Sequence, residues 1–137
     1  MTREDFSKQL RHYRDLNNTL LKTLCFALNS GEKDIYRIEK ASHNYSLQKA
    51  ILYADTVNAK IVITHSNRKD LTLSSVDTAT NFLIMARGDV SLYKVAKDNG
   101  YSQTGIANSE RGTTALSIDM LLKLTEYYGY GITIRAK

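Results

Sequence analysis

No proline occurs anywhere in the 137 residues, so nothing forces a helix to break and most of the chain is free to be helical. Cysteine is nearly absent. The single Cys25 lies in the apolar run LLKTLCFAL and is expected to be a small buried hydrophobe in a reducing compartment. No apolar stretch reaches bilayer-spanning length and no secretory signal is seen, so a cytoplasmic protein without membrane contact is expected. Catalytic signatures are missing too. His12, His43 and His65 fall on different elements, with no cysteine or carboxylate at metal-ligand spacing, and are expected at the surface. No nucleophile elbow, phosphate-cradling glycine loop or paired-carboxylate motif is found. The expectation is therefore a protein that is not an enzyme, with no cofactor and no metal.

What is present is a repeat. Asp34 to Ser66 aligns without a gap on Gly105 to Lys137 at an offset of 71 residues. Ile35 falls on Ile106, Glu39 on Glu110, Ser46 on Ser117, Ile61 on Ile132 and Ile63 on Ile134. A long period seen twice marks a duplicated small domain. Each half is short enough to be marginal alone, so the halves are expected to share an interface. The net charge is +5, and it is uneven: residues 1–70 hold 12 Lys+Arg against 8 Asp+Glu, residues 71–137 hold 7 against 6. The first half thus carries most of the attraction for polyanions, although a basic face alone does not establish nucleic-acid binding.

Capping and periodicity predict four helices and a strand in each half. Thr2, with Asp5 three residues on, caps a helix to Leu16 with Phe6, Leu10 and Tyr13 on one face. Thr19 is expected to cap a second helix through Asn29 with Leu20, Leu24 and Leu28 as its core stripe, and Ser30-Gly31 to make the turn. Glu32 to Ala41 is a third helix presenting Ile35 and Ile38 inward. Ser46 caps a fourth, closed near Val57 with Asn58 left-handed after it. Lys60 to His65 alternates as a strand. Residues 1–66 thus form a first unit and 67–74 a polar linker. Residues 75–137 form a second unit: helices over Ser75–Arg87, Leu92–Asn99 capped by Ser91, a third from Ser102 to Arg111, a fourth from Ser117 to Tyr128, then a strand from Gly131. One short strand per half cannot satisfy its own backbone groups. The two strands are expected to pair antiparallel as a two-stranded sheet about a pseudo-twofold axis, with pairing to a second molecule as the alternative.

The segment Ser91 to Gly112 carries the functional signal. Ala96 stands where two helices cross closely, Gly100 supplies the sharp turn, and the next helix, capped by Ser102 with Ile106 at its centre, ends in Glu-Arg-Gly. This pattern, with the Ser-x-x-x-Leu-Leu-Lys-Leu helix after it, resembles the Xre/Cro-type helix-turn-helix repressors over roughly Asn81 to Ile134. In the first copy Glu39-Lys40-Ala41 replaces Glu-Arg-Gly. Size, duplication and central strands also resemble the TraN-type internal-dimer transfer regulators of Gram-positive conjugative plasmids, which bind near the origin of transfer.

The resemblance implies a mainly α fold with a small central antiparallel β element: two lambda-repressor-like helix-turn-helix units related by internal pseudo-twofold symmetry. It implies that Gln103, Thr104 and Asn108 read base edges, where Gln and Asn suit adenine and the Thr methyl suits thymine. Ser91 and Ser102 would hold phosphates at helix N-termini, and Arg111, Thr113 and Thr114 would meet the DNA backbone. Glu110 is expected to stabilise the fold instead, since a carboxylate facing phosphate is repelled. In the first copy Glu32, Lys33, Tyr36 and Arg37 would form the reading face and Lys40, Ser42, His43 and Asn44 the backbone contacts, so the two half-sites would be dissimilar. Tyr127, Tyr128 and Tyr130 are expected to pack a helix end onto the core; Tyr36 and Tyr45 are left open between core and surface. The expected partner is double-stranded DNA, bound by a monomeric chain with at most weak self-association. The alternative is a protein-interaction module, anti-repressor or antitoxin-like, that keeps the fold without binding DNA.

Overall fold

Side-chain caps set most of the helix starts. In the structure, a computed structural model describing Met1 to Lys137, the Thr2 hydroxyl accepts from the Asp5 amide and the Asp5 carboxylate accepts from the Thr2 amide, closing a capping box on α1 (Arg3–Leu16). There follow α2 (Leu21–Leu28), α3 (Glu32–Lys40), α4 (Leu47–Thr56), β1 (Ala59–His65), β2 (Arg68–Thr72), α5 (Val76–Arg87), α6 (Leu92–Asn99), α7 (Gln103–Arg111), α8 (Ile118–Tyr127) and β3 (Gly131–Ala136). The hydroxyls of Ser46, Ser75, Ser91, Ser102 and Ser117 cap α4, α5, α6, α7 and α8. The chain is mainly helical with a small antiparallel sheet, and no helix is long and apolar enough to cross a membrane.

The repeat extends to element boundaries. α2 and α6, α3 and α7, and α4 and α8 begin and end 71 residues apart. Three pairs of left-handed residues match as well: Asn29 (φ 51°) with Gly100 (φ 74°), Ala41 (φ 53°) with Gly112 (φ 75°), Asn58 (φ 60°) with Gly129 (φ 87°). Asparagine tolerates this region through its short polar side chain, but alanine is strained there. Ala41→Gly is therefore expected to stabilise the protein by ~1 kcal/mol, seen as a higher urea midpoint at unchanged slope. A midpoint that stays or falls would show that Ala41 carries no such strain.

Two points in the first copy differ from the sequence reading. Thr19 does not cap α2. Leu20 holds the N-cap position, without a side-chain bond, and is 59% exposed instead of joining the Leu24–Leu28 stripe. The turn after α2 is made by left-handed Asn29, while Gly31 sits at the N-cap of α3 with an ordinary φ of −82°.

β1 and β3 pair antiparallel, and the register exchanges repeat equivalents. Val62 faces Thr133, its own equivalent, flanked by Ile61 opposite Ile134 and Ile63 opposite Ile132. A second contact does the same: Ser46 bridges Ser117, the Leu47 amide donates to the Leu116 carbonyl and the Ile118 amide to the Tyr45 carbonyl, both at 2.8 Å. α4 and α8 each run from this bridge toward the sheet.

The sheet has three strands, not two, in the order β2-β1-β3. The polar segment 67–74, expected from the sequence to be a linker, contains β2, a charged edge strand with Arg68, Lys69 and Asp70 exposed. It covers the outer edge of β1. The outer edge of β3 is covered by α1, where Gln9 Oε1 accepts from the Ile134 amide and the Tyr13 hydroxyl donates to the Ile134 carbonyl. Open strand edges template aggregation, and each side of this sheet blunts its edge differently.

The core is continuous across both halves, from Phe6, Leu10, Leu24 and Ile35 through Tyr53 and Ile61 to Leu83, Ile106, Leu116 and Ile118. Tyr45 is buried and Tyr36 exposed. Tyr127, Tyr128 and Tyr130 are half-buried against the core. His12 and His43 lie at the surface, but His65 is half-buried and packs on the Tyr130 ring at 4.8 Å. Cys25 is also only half-buried.

Candidate nucleic-acid interface

Helical geometry puts residues at i, i+4 and i+7 on one face. On α7 that face is Thr104, Asn108 and Arg111, with Gln103 beside it at the helix start. The opposite face buries Ile106 and Ser109. Gln103, Thr104 and Arg111 are exposed and Asn108 is half-exposed. None of the four side chains bonds within the chain, so their donors and acceptors are free for a ligand. On α3 the equivalent positions are Lys33, Arg37 and Lys40, all exposed, with Ile35 and Ile38 buried behind them. One half thus carries a polar stripe with one cation, the other a stripe of three.

The carboxylates that would oppose these cations are engaged elsewhere. Asp34 is bonded to Lys49 at 2.7 Å, which holds its carboxyl below the usual range. Glu39 is 3% exposed, bound by Arg14 at 2.7 and 2.8 Å, Arg11 at 3.0 Å and the Tyr53 hydroxyl at 2.6 Å. Glu110 takes two bonds from Arg87, at 2.8 and 3.0 Å. The same bonds raise the Arg87 pKa. Nearby, burial first and then Glu110 push the Tyr128 hydroxyl up to about 12. Only Glu32, exposed at the first turn of α3, is left free on the first stripe.

The helix starts differ between the halves. Ser91 Oγ accepts from the Lys94 amide at 3.1 Å and Ser102 Oγ from the Gly105 amide at 2.9 Å. Each hydroxyl keeps its proton to donate, at a helix end whose amides favour an anion. A β-carbon on residue 105 would come 2.9 Å from Ser102 Oγ, so glycine there preserves the cap. In the first half Leu20 and Gly31 hold the two equivalent positions and offer no hydroxyl.

Several expected contact residues are partly committed to the fold. Asn44 Oδ1 accepts from the Tyr45 amide and from the Asp119 amide at the start of α8, tying the halves together. Thr113 donates its hydroxyl to the Asn108 carbonyl. Ser42 and His43 bond each other, Oγ to Nδ1 at 3.2 Å. Thr114 and Tyr36 remain exposed. The sequence reading passed over Tyr93 and Lys97 on α6. Tyr93 is 63% exposed, two residues after Ser91, with the Lys97 ammonium 5.9 Å from its ring centre. Their i, i+4 spacing was the signal.

Comparison with protein-family models, with curated proteins and with solved structures finds no match.

Proposed function

We propose that this chain is a sequence-specific double-stranded DNA-binding regulator, built from two lambda-repressor-like helix-turn-helix units related by an internal pseudo-twofold axis. The observation that carries the reading is the pair of solvent-facing stripes, Thr104–Asn108–Arg111 and Lys33–Arg37–Lys40, on helices 71 residues apart. Both end near the Ser46–Ser117 bridge, where the two halves meet reciprocally. One chain would then offer two reading helices, as a symmetric dimer does, to half-sites in successive major grooves. The stripes differ in chemistry, so the half-sites are dissimilar. Binding would occlude a promoter, consistent with the likeness to transfer regulators of conjugative plasmids.

Footprinting on the DNA flanking the protein's own gene tests the reading and yields the site. On that site, Gln103→Ala is expected to weaken specific binding by ~1–3 kcal/mol and leave random duplex nearly unaffected. An equal loss on both duplexes would remove Gln103 from the reading face.

A second reading, docking of a protein partner, is favoured by a different surface. Leu16, Leu20 and Phe26 are 61%, 59% and 90% exposed, where the second half has Arg87, Ser91 and Lys97. These residues lie on α1, at the start of α2 and on α2, not on the α3 stripe. An apolar contact there would persist in high salt, whereas DNA binding would not.

A further inference from the structure

We infer that Arg3 is a positioning residue that sets the angle between the two halves and hence the half-site spacing the protein accepts; this rests on the DNA-binding reading above. Arg3 opens α1, where the capping box fixes the first turn. Its Nε donates to the carbonyl of Ala41, the left-handed residue that closes α3. Its Nη1 donates to Asp119 Oδ2 at 2.6 Å, in the first turn of α8. One guanidinium fork therefore holds the end of the first reading helix against the helix that follows the second. Asn44 reinforces the same junction through the Asp119 amide.

The clamp has no counterpart across the bridge. The equivalents of Arg3, Ala41 and Asp119 are Ser74, Gly112 and Gln48, and neither Ser74 nor Gln48 makes a side-chain bond to the other half. The halves are pinned by this fork on one flank of the Ser46–Ser117 bridge and lack the equivalent fork on the other, while Lys137 Nζ donates to Asp55 Oδ1 at 3.0 Å beside the sheet. With that pin released, the bridge, the sheet, the shared core and the Asn44 bond remain, and the residual freedom is a small rocking of one half about them. Reading helices that rock tolerate a wider range of half-site separations, because duplex length and twist both change with each added base pair.

Arg3 and Asp119 are partly solvent-exposed, 25% and 43%, and such pairs contribute little to stability. Arg3→Ala and Asp119→Asn are thus expected to fold, which a thermal melt checks. Each variant is titrated against duplexes carrying the footprinted half-sites at natural spacing and at spacings longer or shorter by one base pair. Wild type should prefer natural spacing by about tenfold; both variants should reduce that preference to about threefold or less, with affinity for an isolated half-site unchanged. Arg3→Lys, which cannot fork to both acceptors, should fall between. A wild-type spacing preference in Arg3→Ala overturns the inference while leaving DNA binding intact.

A readout without DNA separates the two claims. Spin labels at Thr23→Cys on α2 and at its equivalent Lys94→Cys on α6, in a Cys25→Ala background, report the distance between halves. A broader distance distribution in Arg3→Ala supports the clamp even if no duplex binds; an unchanged distribution overturns it.

Discussion

Glu39→Ala is expected to cost about 3–5 kcal/mol of folding stability, the largest loss of any polar substitution in the chain. The carboxylate is nearly sealed from water, and three side chains from two other helices converge on it: Arg11 and Arg14 of α1 and Tyr53 of α4. Removing it strands the Arg14 guanidinium, itself 14% exposed, and a tyrosine with no solvent-accessible surface. Burial first, and then its bond to Glu39, hold the Tyr53 hydroxyl well above the ordinary tyrosine pKa. The loss is the cost of the unpaired partners, not the net worth of the ion pair. Glu39→Gln, which keeps a hydrogen-bonding oxygen and the volume, should therefore lose clearly less. Glu110→Ala is the internal control. Glu110 has one partner, Arg87, and should lose about 1–3 kcal/mol. Urea unfolding of the three variants reads the order directly. If Glu39→Ala and Glu110→Ala lose the same amount, Tyr53 and the second arginine contribute nothing.

The two glutamates show what the sequence makes legible. They align at the repeat offset, which marks them as equivalent, and a carboxylate was not expected to face phosphate. Their arginines do not align: Arg14 corresponds to position 85 and Arg87 to position 16, so the pairing emerges only once helices pack. Local signals carried further. Thr2, Ser46, Ser91, Ser102 and Ser117 announce helix starts because each satisfies a backbone amide a few residues away. The β1–β3 pairing follows from two strands that each lack a partner. β2 escaped notice because Arg68–Thr72 buries no side chain fully, and alternation is visible only when one face is hidden. The apolar Leu71 and Leu73 after the Ser66-Asn67 turn were the available clue. In the candidate site, exposure of the α3 and α7 stripes follows from helical period alone. The use of Asn44 to anchor α8, and the bond from Arg3 to a residue 116 positions away, depend on how the halves meet, which no local pattern encodes.

The charge imbalance between the stripes leads to the second large effect. If Lys33, Arg37, Lys40 and Arg111 each neutralise a phosphate, the slope of log affinity against log salt should be about −3.6, a fall of roughly 150-fold between 50 and 200 mM. The halves should divide that slope unequally. Replacing Arg111 by alanine should flatten it by about 1, whereas replacing Lys33, Arg37 and Lys40 together should leave only about −1. Sequence discrimination should divide the other way. The second half offers Gln103, Thr104 and Asn108, whose donor and acceptor patterns can match a base edge, and two capping hydroxyls that position its helices. The first half offers mainly cations and no capping hydroxyl at the starts of α2 and α3. The triple variant should accordingly lose most of its affinity for random duplex while retaining much of the ratio between specific and random DNA. Filter binding or anisotropy across a salt series measures both quantities on the same samples. A slope near zero in wild type would remove the DNA reading altogether. A slope divided equally between the halves would keep DNA binding and discard the division of labour.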